Sequence, residues 1–290
     1  MGYNSVLRPD LFEGQTIVIT GGGSGIGRCL AHELVSLGAT VIIMGRKEEK
    51  LAKVLHEIEE DGGKASQRVC DIRMEEQVQE AVRWVCGEYG QIHGLVNNAG
   101  GQFPAPLATI NQKGFETVIR TNLVGGFLMA REVFSQSMCD GGGAIVNMSA
   151  DHWGGMPGMG HSGAARAGMT NFTMTAAFEW GPFGVRVNAV APGWVASSGM
   201  DTYQGPIREL IPKLKDAVPI GRLANESEVS SVISFLLSPA ASFINGATIR
   251  IDGGASVGNM AVWPWKTVAK NVAEYQGFHR AETPEILNKD

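Results

Sequence analysis

The chain has 290 residues, 44% hydrophobic and 18% charged, with a net charge of −5, an ordinary globular composition long enough for one large α/β core. That balance argues against nucleic acid or an acidic membrane surface as a partner, and no stretch holds the roughly 20 apolar residues that span a bilayer. The N-terminus has no apolar run, so no signal peptide is expected, and the four scattered cysteines, with no CxxC and no His at metal spacing, read as reduced thiols of a cytoplasmic protein without a metal site.

In chain order, short β-branched runs alternate with amphipathic segments. TIVIT (16–20), TVIIM (40–44), SQRVC (66–70), GLVNN (94–98), AIVNM (144–148), VRVNAV (185–190) and ATIRI (247–251) read as strands, apolar on both faces as buried parallel strands are. Between them lie helical patterns such as residues 47–63, where Leu51, Val54, Leu55 and Ile58 form one stripe before a Gly stop. The alternation predicts an α/β fold, a doubly wound parallel sheet with helices on both faces. No repeat or low-complexity linker interrupts it, so a single domain over 1–290 is expected. Residues 194–224 are less regular, with one short helical piece at 206–217. A C-terminal extension, 257–290, carries Trp263 and Trp265 around Pro264 and is expected to pack over a neighbouring subunit or the substrate mouth.

The first strand, a Gly-rich turn, a helix and the second strand form the sharpest local signal. In TGGGSGIG (20–27), Gly21 starts a tight turn, Gly25 lets the backbone approach a pyrophosphate, and Gly27 allows close helix–strand packing. Ser24 and Ile26 complete the turn, and the following helix aims its free N–H groups at phosphates. The second strand ends in MGRKEEK, with no acid before Arg46 and Lys47. A ribose 2′-phosphate would pair with those cations, so NADP(H) is favoured over NAD(H). The competing reading makes both solvated residues at a helix start.

Together with CDI (70–72), NNAG (97–100), TNL (121–123), Ser149, RVNAVAPG (186–193) and IDGG (251–254), this turn resembles the short-chain dehydrogenase/reductase family in order and spacing, over about residues 12–256. The resemblance implies a Rossmann-type seven-stranded sheet and a homotetramer. It also implies that Asp71 and Ile72 meet the adenine, Asn98 and Gly100 line the cofactor, Asn122 is the active-site Asn, and Pro192 and Gly193 lie beside the nicotinamide.

One stretch departs from that pattern. Where the family keeps a Tyr 13 residues after Ser149, and a Lys four residues further on, this chain has Ser162 and Arg166. An aliphatic hydroxyl is a far weaker acid than a phenol, and a guanidinium stays charged. Arg166 retains the ability to donate to the nicotinamide ribose. Hydride addition to an enoyl thioester builds an enolate, which needs hydrogen-bond donors but no alcohol acid. The run HSGAARAG (161–168) resembles peroxisomal-type trans-2-enoyl-CoA reductases, as does residues 236–254. The 2,4-dienoyl-CoA reductases share the Ser but keep the Lys and a displaced Tyr near position 151, here Asp. The expected function is therefore NADP(H)-dependent hydride transfer at the C=C bond of a 2-enoyl-CoA, with Asn122, Ser149, Ser162 and Arg166 in the catalytic site. A short-chain alcohol or ketone dehydrogenase with an atypical acid is the first alternative, and an inactive NADP-binding scaffold or sensor the second. Ser162 also fits a plain helix N-cap, Ser149 a strand-end turn, and Asp151 an ion pair with Arg166. His152 and His161 flank the site, as proton donors or as loop residues.

Overall fold

The computed structural model describes residues 2–205, 207–260 and 272–288. All seven expected strands form: β1 (Thr16–Thr20), β2 (Thr40–Gly45), β3 (Ala65–Val69), β4 (Gly94–Asn97), β5 (Gly143–Met148), β6 (Val185–Pro192) and β7 (Thr248–Ile251). They pair in parallel in the order β3-β2-β1-β4-β5-β6-β7. Chain order reverses between β1 and β4, which opens a crevice at the carboxyl ends of these strands. The five inner strands are almost wholly buried. The expectation of two apolar faces fails for β7, which is half-buried with Arg250 exposed, and for β3, whose residues are half-buried and whose Val69 is exposed. As the outermost strands they have a neighbour on one edge only, so SQRV can face water where β1 cannot.

Helices α1 (Gly25–Ser36), α2 (Glu48–Glu60) and α3 (Glu75–Tyr89) connect the first four strands. In α2, Leu51, Val54 and Ile58 enter the core. The helix then stops where Gly62 takes φ +84° and the Gly63 N–H returns to the Ile58 carbonyl, as the Gly stop predicts. Helix α4 (Gln112–Ile119) runs into a π turn at Arg120–Val124, then α5 (Gly125–Val133) and a short α6 (Cys139–Gly141). The long α7 (Gly160–Trp180) follows β5. A segment of short helical turns, including α8 (Ile207–Leu210), leads to α9 (Glu226–Leu237), which begins with a capping box between Asn225 and Glu228. The piece expected at 206–217 is thus α8 followed by a 3₁₀ stretch, Ile211–Ala217.

Two apolar clusters flank the sheet. One packs β1 and β2 side chains against α1, α2 and α9, and the other packs β2, β4 and β5 against α3, α5 and α7. The described part of the C-terminal extension lies on this chain itself. Phe278 joins Tyr3 and Cys29 in a small cluster, and Arg280 pairs with Asp61 after α2. Ile286 then packs with Met200 and Ile211. Trp263 and Trp265, which carried the expectation for this tail, lie outside the described residues. Among the described residues no helix is long and apolar enough to cross a membrane, and no group of side chains is arranged to hold a metal.

Candidate active site

A cleft of about 310 Å³ lies at the crevice between β1 and β4. Gly21, Ser24, Gly25, Arg46, Asp71, Ile72, Asn98 and Gly100 line it as expected. Its fit to a dinucleotide rests on the start of α1. Ser24 makes no side-chain cap bond, the first turn carries no acidic residue, and Gly25 holds φ +56°. The helix therefore offers uncapped N–H groups and a positive dipole end to an anion. A Cβ on Gly27 would stand 2.4 Å from the Gly21 carbonyl oxygen, so only glycine lets helix and turn approach this closely. Thr20 fastens the turn by donating to the Val96 carbonyl and accepting from the Asn98 and Ala99 N–H groups. The Asn98 amide donates to the carbonyls of Thr20 and Gly21, so its side chain braces the turn while its backbone lines the cleft.

Several expected cofactor residues lie elsewhere. Ile26 packs into the core, and Gly27 sits behind the turn rather than on its surface. Lys47 is the N-cap of α2 and does not reach the cleft. Pro192 ends β6 beside Ile251, and Gly193 donates to the Ile251 carbonyl, where a Cβ would meet Asp252. Both serve the β6–β7 junction in this conformation. Arg73, unanticipated, lines the cleft beside Arg46. It grips both oxygens of Asp71, and these hydrogen bonds hold the Asp71 carboxyl below its usual range. Ser197, Ser198 and Gly199 close the cleft from the other side. Their place so late in the chain carries no local motif.

The expected catalytic residues converge behind this cleft. Asn122 sits in the π turn, a distortion common at functional sites. Its side-chain oxygen accepts from the Gly101 N–H at 2.8 Å, while its Nδ2 is buried and unpartnered. A Cβ on Gly100 would touch Arg166 and Asn122 at 2.7 and 3.2 Å, which places the three together. Arg166 donates to the Met148 carbonyl, and burial lowers its pKa to about 10, still cationic at neutral pH. Its hydrogen bond goes to that carbonyl rather than to Asp151, one of whose oxygens is buried without a partner. Ser149 bonds to Thr170 and to the Arg166 carbonyl, and His152 reaches the same Thr170 hydroxyl.

Ser162 is fully buried and does not cap α7. The N-cap is Met159, and Ser162 Oγ instead donates to Gln102 Oε1 at 2.7 Å. Gln102 Nε2 in turn donates to the Tyr203 hydroxyl at 3.1 Å. His161 is equally buried. Its Nδ1 accepts from the Ser162 N–H and its Nε2 has no partner. Sequence reasoning placed neither Gln102 nor Tyr203 in the site, since none of the four tyrosines lies near either motif in the chain. Gln102 stands two residues beyond Gly100, but Tyr203 lies about 40 residues after Ser162, where spacing carries no signal.

A family model described as an enoyl-(acyl carrier protein) reductase matches residues 21–256. The Danio rerio protein named peroxisomal 2,4-dienoyl-CoA reductase is 33% identical over 98% of this chain and 92% of its own length. An Arabidopsis thaliana protein named a tropinone reductase homolog is 33% identical over 87% of this chain and 94% of its own. Among solved structures, the citronellol catabolism dehydrogenase of Pseudomonas aeruginosa PAO1 is 63% identical, with a TM-score of 0.80 over 88% of this chain and 100% of that one. The dienoyl type, set behind the enoyl type on the residue at position 151, is thus represented among the relatives.

Proposed function

This chain belongs to the short-chain dehydrogenase/reductase family of oxidoreductases, and on that premise we propose that it transfers hydride between NADP(H) and the C=C bond of a 2-enoyl- or 2,4-dienoyl-CoA thioester. One observation carries the choice of bond: the family's Tyr and Lys positions hold Ser162, its proton donated to Gln102, and a cationic Arg166. Neither residue is suited to exchange the proton of an alcohol at neutral pH, whereas an enolate needs donors around its oxygen. The unpartnered Nδ2 of Asn122 is a free donor in this group. Ser149 holds the start of α7 to the end of β5, and Arg166 places a positive charge beside Gly100.

When bound, the dinucleotide supplies the hydride. The α1 N-terminus would hold its pyrophosphate, Asp71 and Ile72 its adenine, and Arg46 with Arg73 a 2′-phosphate. Two guanidiniums at that end support NADP(H). The name of the dienoyl relative supports an acyl-CoA substrate. Exposed Phe178 and Phe243 are apolar surface that the proposed homotetramer would cover.

A second reading, oxidation of an alcohol such as citronellol, draws on the citronellol catabolism dehydrogenase. Initial rates with crotonyl-CoA, 2,4-hexadienoyl-CoA and citronellal, each with NADPH and NADH, separate the two. Thioester reduction supports the first reading, and turnover of citronellal alone replaces it with the second. Dinucleotide binding with turnover of none of the three favours the reading as an inactive scaffold or sensor.

A further inference from the structure

We propose that Tyr203 is the proton donor of this site and that Gln102 is the positioning residue that holds it there. The inference rests on the hydride-transfer reading above but not on the thioester.

The chain has four tyrosines. Tyr3 lies against Cys29, Tyr89 donates to Ser66, and Tyr275 donates to the Asn4 carbonyl, all remote from the cleft. Tyr203 alone connects to the catalytic group. Its ring packs with Met200, Ile211 and Ile286, and it follows directly on the segment whose Ser198 and Gly199 wall the cleft. The tail holds this segment in place, because the Glu285 and Ile286 N–H groups both donate to the Asp201 carboxylate.

The direction of the hydrogen bonds decides where a proton is available. An amide oxygen only accepts and an amide NH₂ only donates. The 2.7 Å contact to Ser162 has the usual O–H···O length and the 3.1 Å contact to Tyr203 that of N–H···O, so the Gln102 oxygen faces Ser162 and its nitrogen faces Tyr203. Ser162 therefore spends its single proton on Gln102. The Tyr203 oxygen accepts, and its own proton has no acceptor in any described contact. Of the two hydroxyls that Gln102 bridges, the free proton belongs to the phenol, which is also the stronger acid by residue type.

In reduction, hydride adds to the β-carbon and the C=C electron pair moves to form the enolate. The Tyr203 O–H bond breaks as the α-carbon C–H bond forms, and the tyrosinate regains a proton from solvent. The Gln102 N–H remains bonded to the phenolate oxygen and stabilises it.

The test uses the full-length protein with NADPH and crotonyl-CoA in D₂O. Wild type is expected to place deuterium at the α-carbon in one configuration. Tyr203→Phe keeps the ring in its cluster. It is expected to lower kcat about 100-fold and to scramble the α-configuration. Melting temperature and the calorimetric affinities for NADPH and butyryl-CoA should stay within about 2-fold of wild type or, for melting, unchanged. Gln102→Leu should lower kcat less and scramble the configuration in part. A Tyr203→Phe enzyme with wild-type kcat and one α-configuration overturns the proposal and leaves thioester reduction standing. If wild type reduces only citronellal, the thioester reading falls, and kcat of Tyr203→Phe on citronellal decides the tyrosine separately.

Discussion

At the dinucleotide end of the cleft, residues 16 to 27 run continuously as strand, turn and helix, and the binding groups are backbone N–H groups and glycines. At the proton-handling end, Gln102, Ser162 and Tyr203 come from three separate segments and meet through one side-chain amide. The first end tolerates almost no added atom, and the Thr20 and Asn98 side chains serve it by bracing the backbone of the turn. The second depends on side-chain identity at every point, and it has been rebuilt where the family keeps Tyr and Lys. The difference shows that a backbone-made site must be local in sequence, whereas a side-chain-made site can be redistributed wherever the fold brings chains together.

The sharpest way to break the contrast is Gly27→Ala. Its methyl would press on the Gly21 carbonyl at 2.4 Å, and backbone has no way to step aside cheaply. We expect at least a 100-fold loss of NADPH affinity and a destabilisation of about 1–3 kcal/mol, read by fluorescence titration and thermal melting. Wild-type affinity would show that the turn is looser than its contacts.

Arg46→Asp tests a part of the dinucleotide end that depends on a side chain. It places a carboxylate where a 2′-phosphate would sit. The loss of a charge-assisted contact should cost about 1.5–3 kcal/mol of NADPH affinity, with NADH little changed. Unaltered relative affinities would remove Arg46 from cofactor choice and leave Arg73 as the candidate.

The smallest effect on dinucleotide affinity concerns Glu226, buried at the start of α9, whose carboxylate comes within 3.8 Å of a Cβ position on Gly25. Burial raises its pKa to about 7. An acid raised in the folded state contributes stability below its unfolded pKa, about 4.5, and loses it as pH rises through about 7. Glu226→Gln should therefore be more stable than wild type at pH 8 by about 2–3 kcal/mol, with much of that gain absent at pH 5. It should also flatten any alkaline fall in NADPH affinity. Parallel melting curves at both pH values would show that the carboxylate is already solvated.

Much of this was legible without coordinates. The seven strands follow from apolar runs, because a central parallel strand is buried on both faces and its sequence records that. The glycine turn follows from steric need, and the loss of Tyr and Lys follows from position alone. The sequence could not show that β3 lies at an edge, since an edge is a property of the sheet. It could not separate Arg46 from Lys47, because α2 starts just after both, at Glu48, and leaves Arg46 on the cleft and Lys47 as the helix cap. Nor could it cast Ser162 as a donor to Gln102 rather than a helix cap, or bring Tyr203 to the site. Those outcomes depend on where α7, the loop after β4 and the segment tied by Asp201 to the tail come to rest. Tertiary packing alone decides that, because hydrogen bonds between side chains distant in sequence leave no periodicity to read.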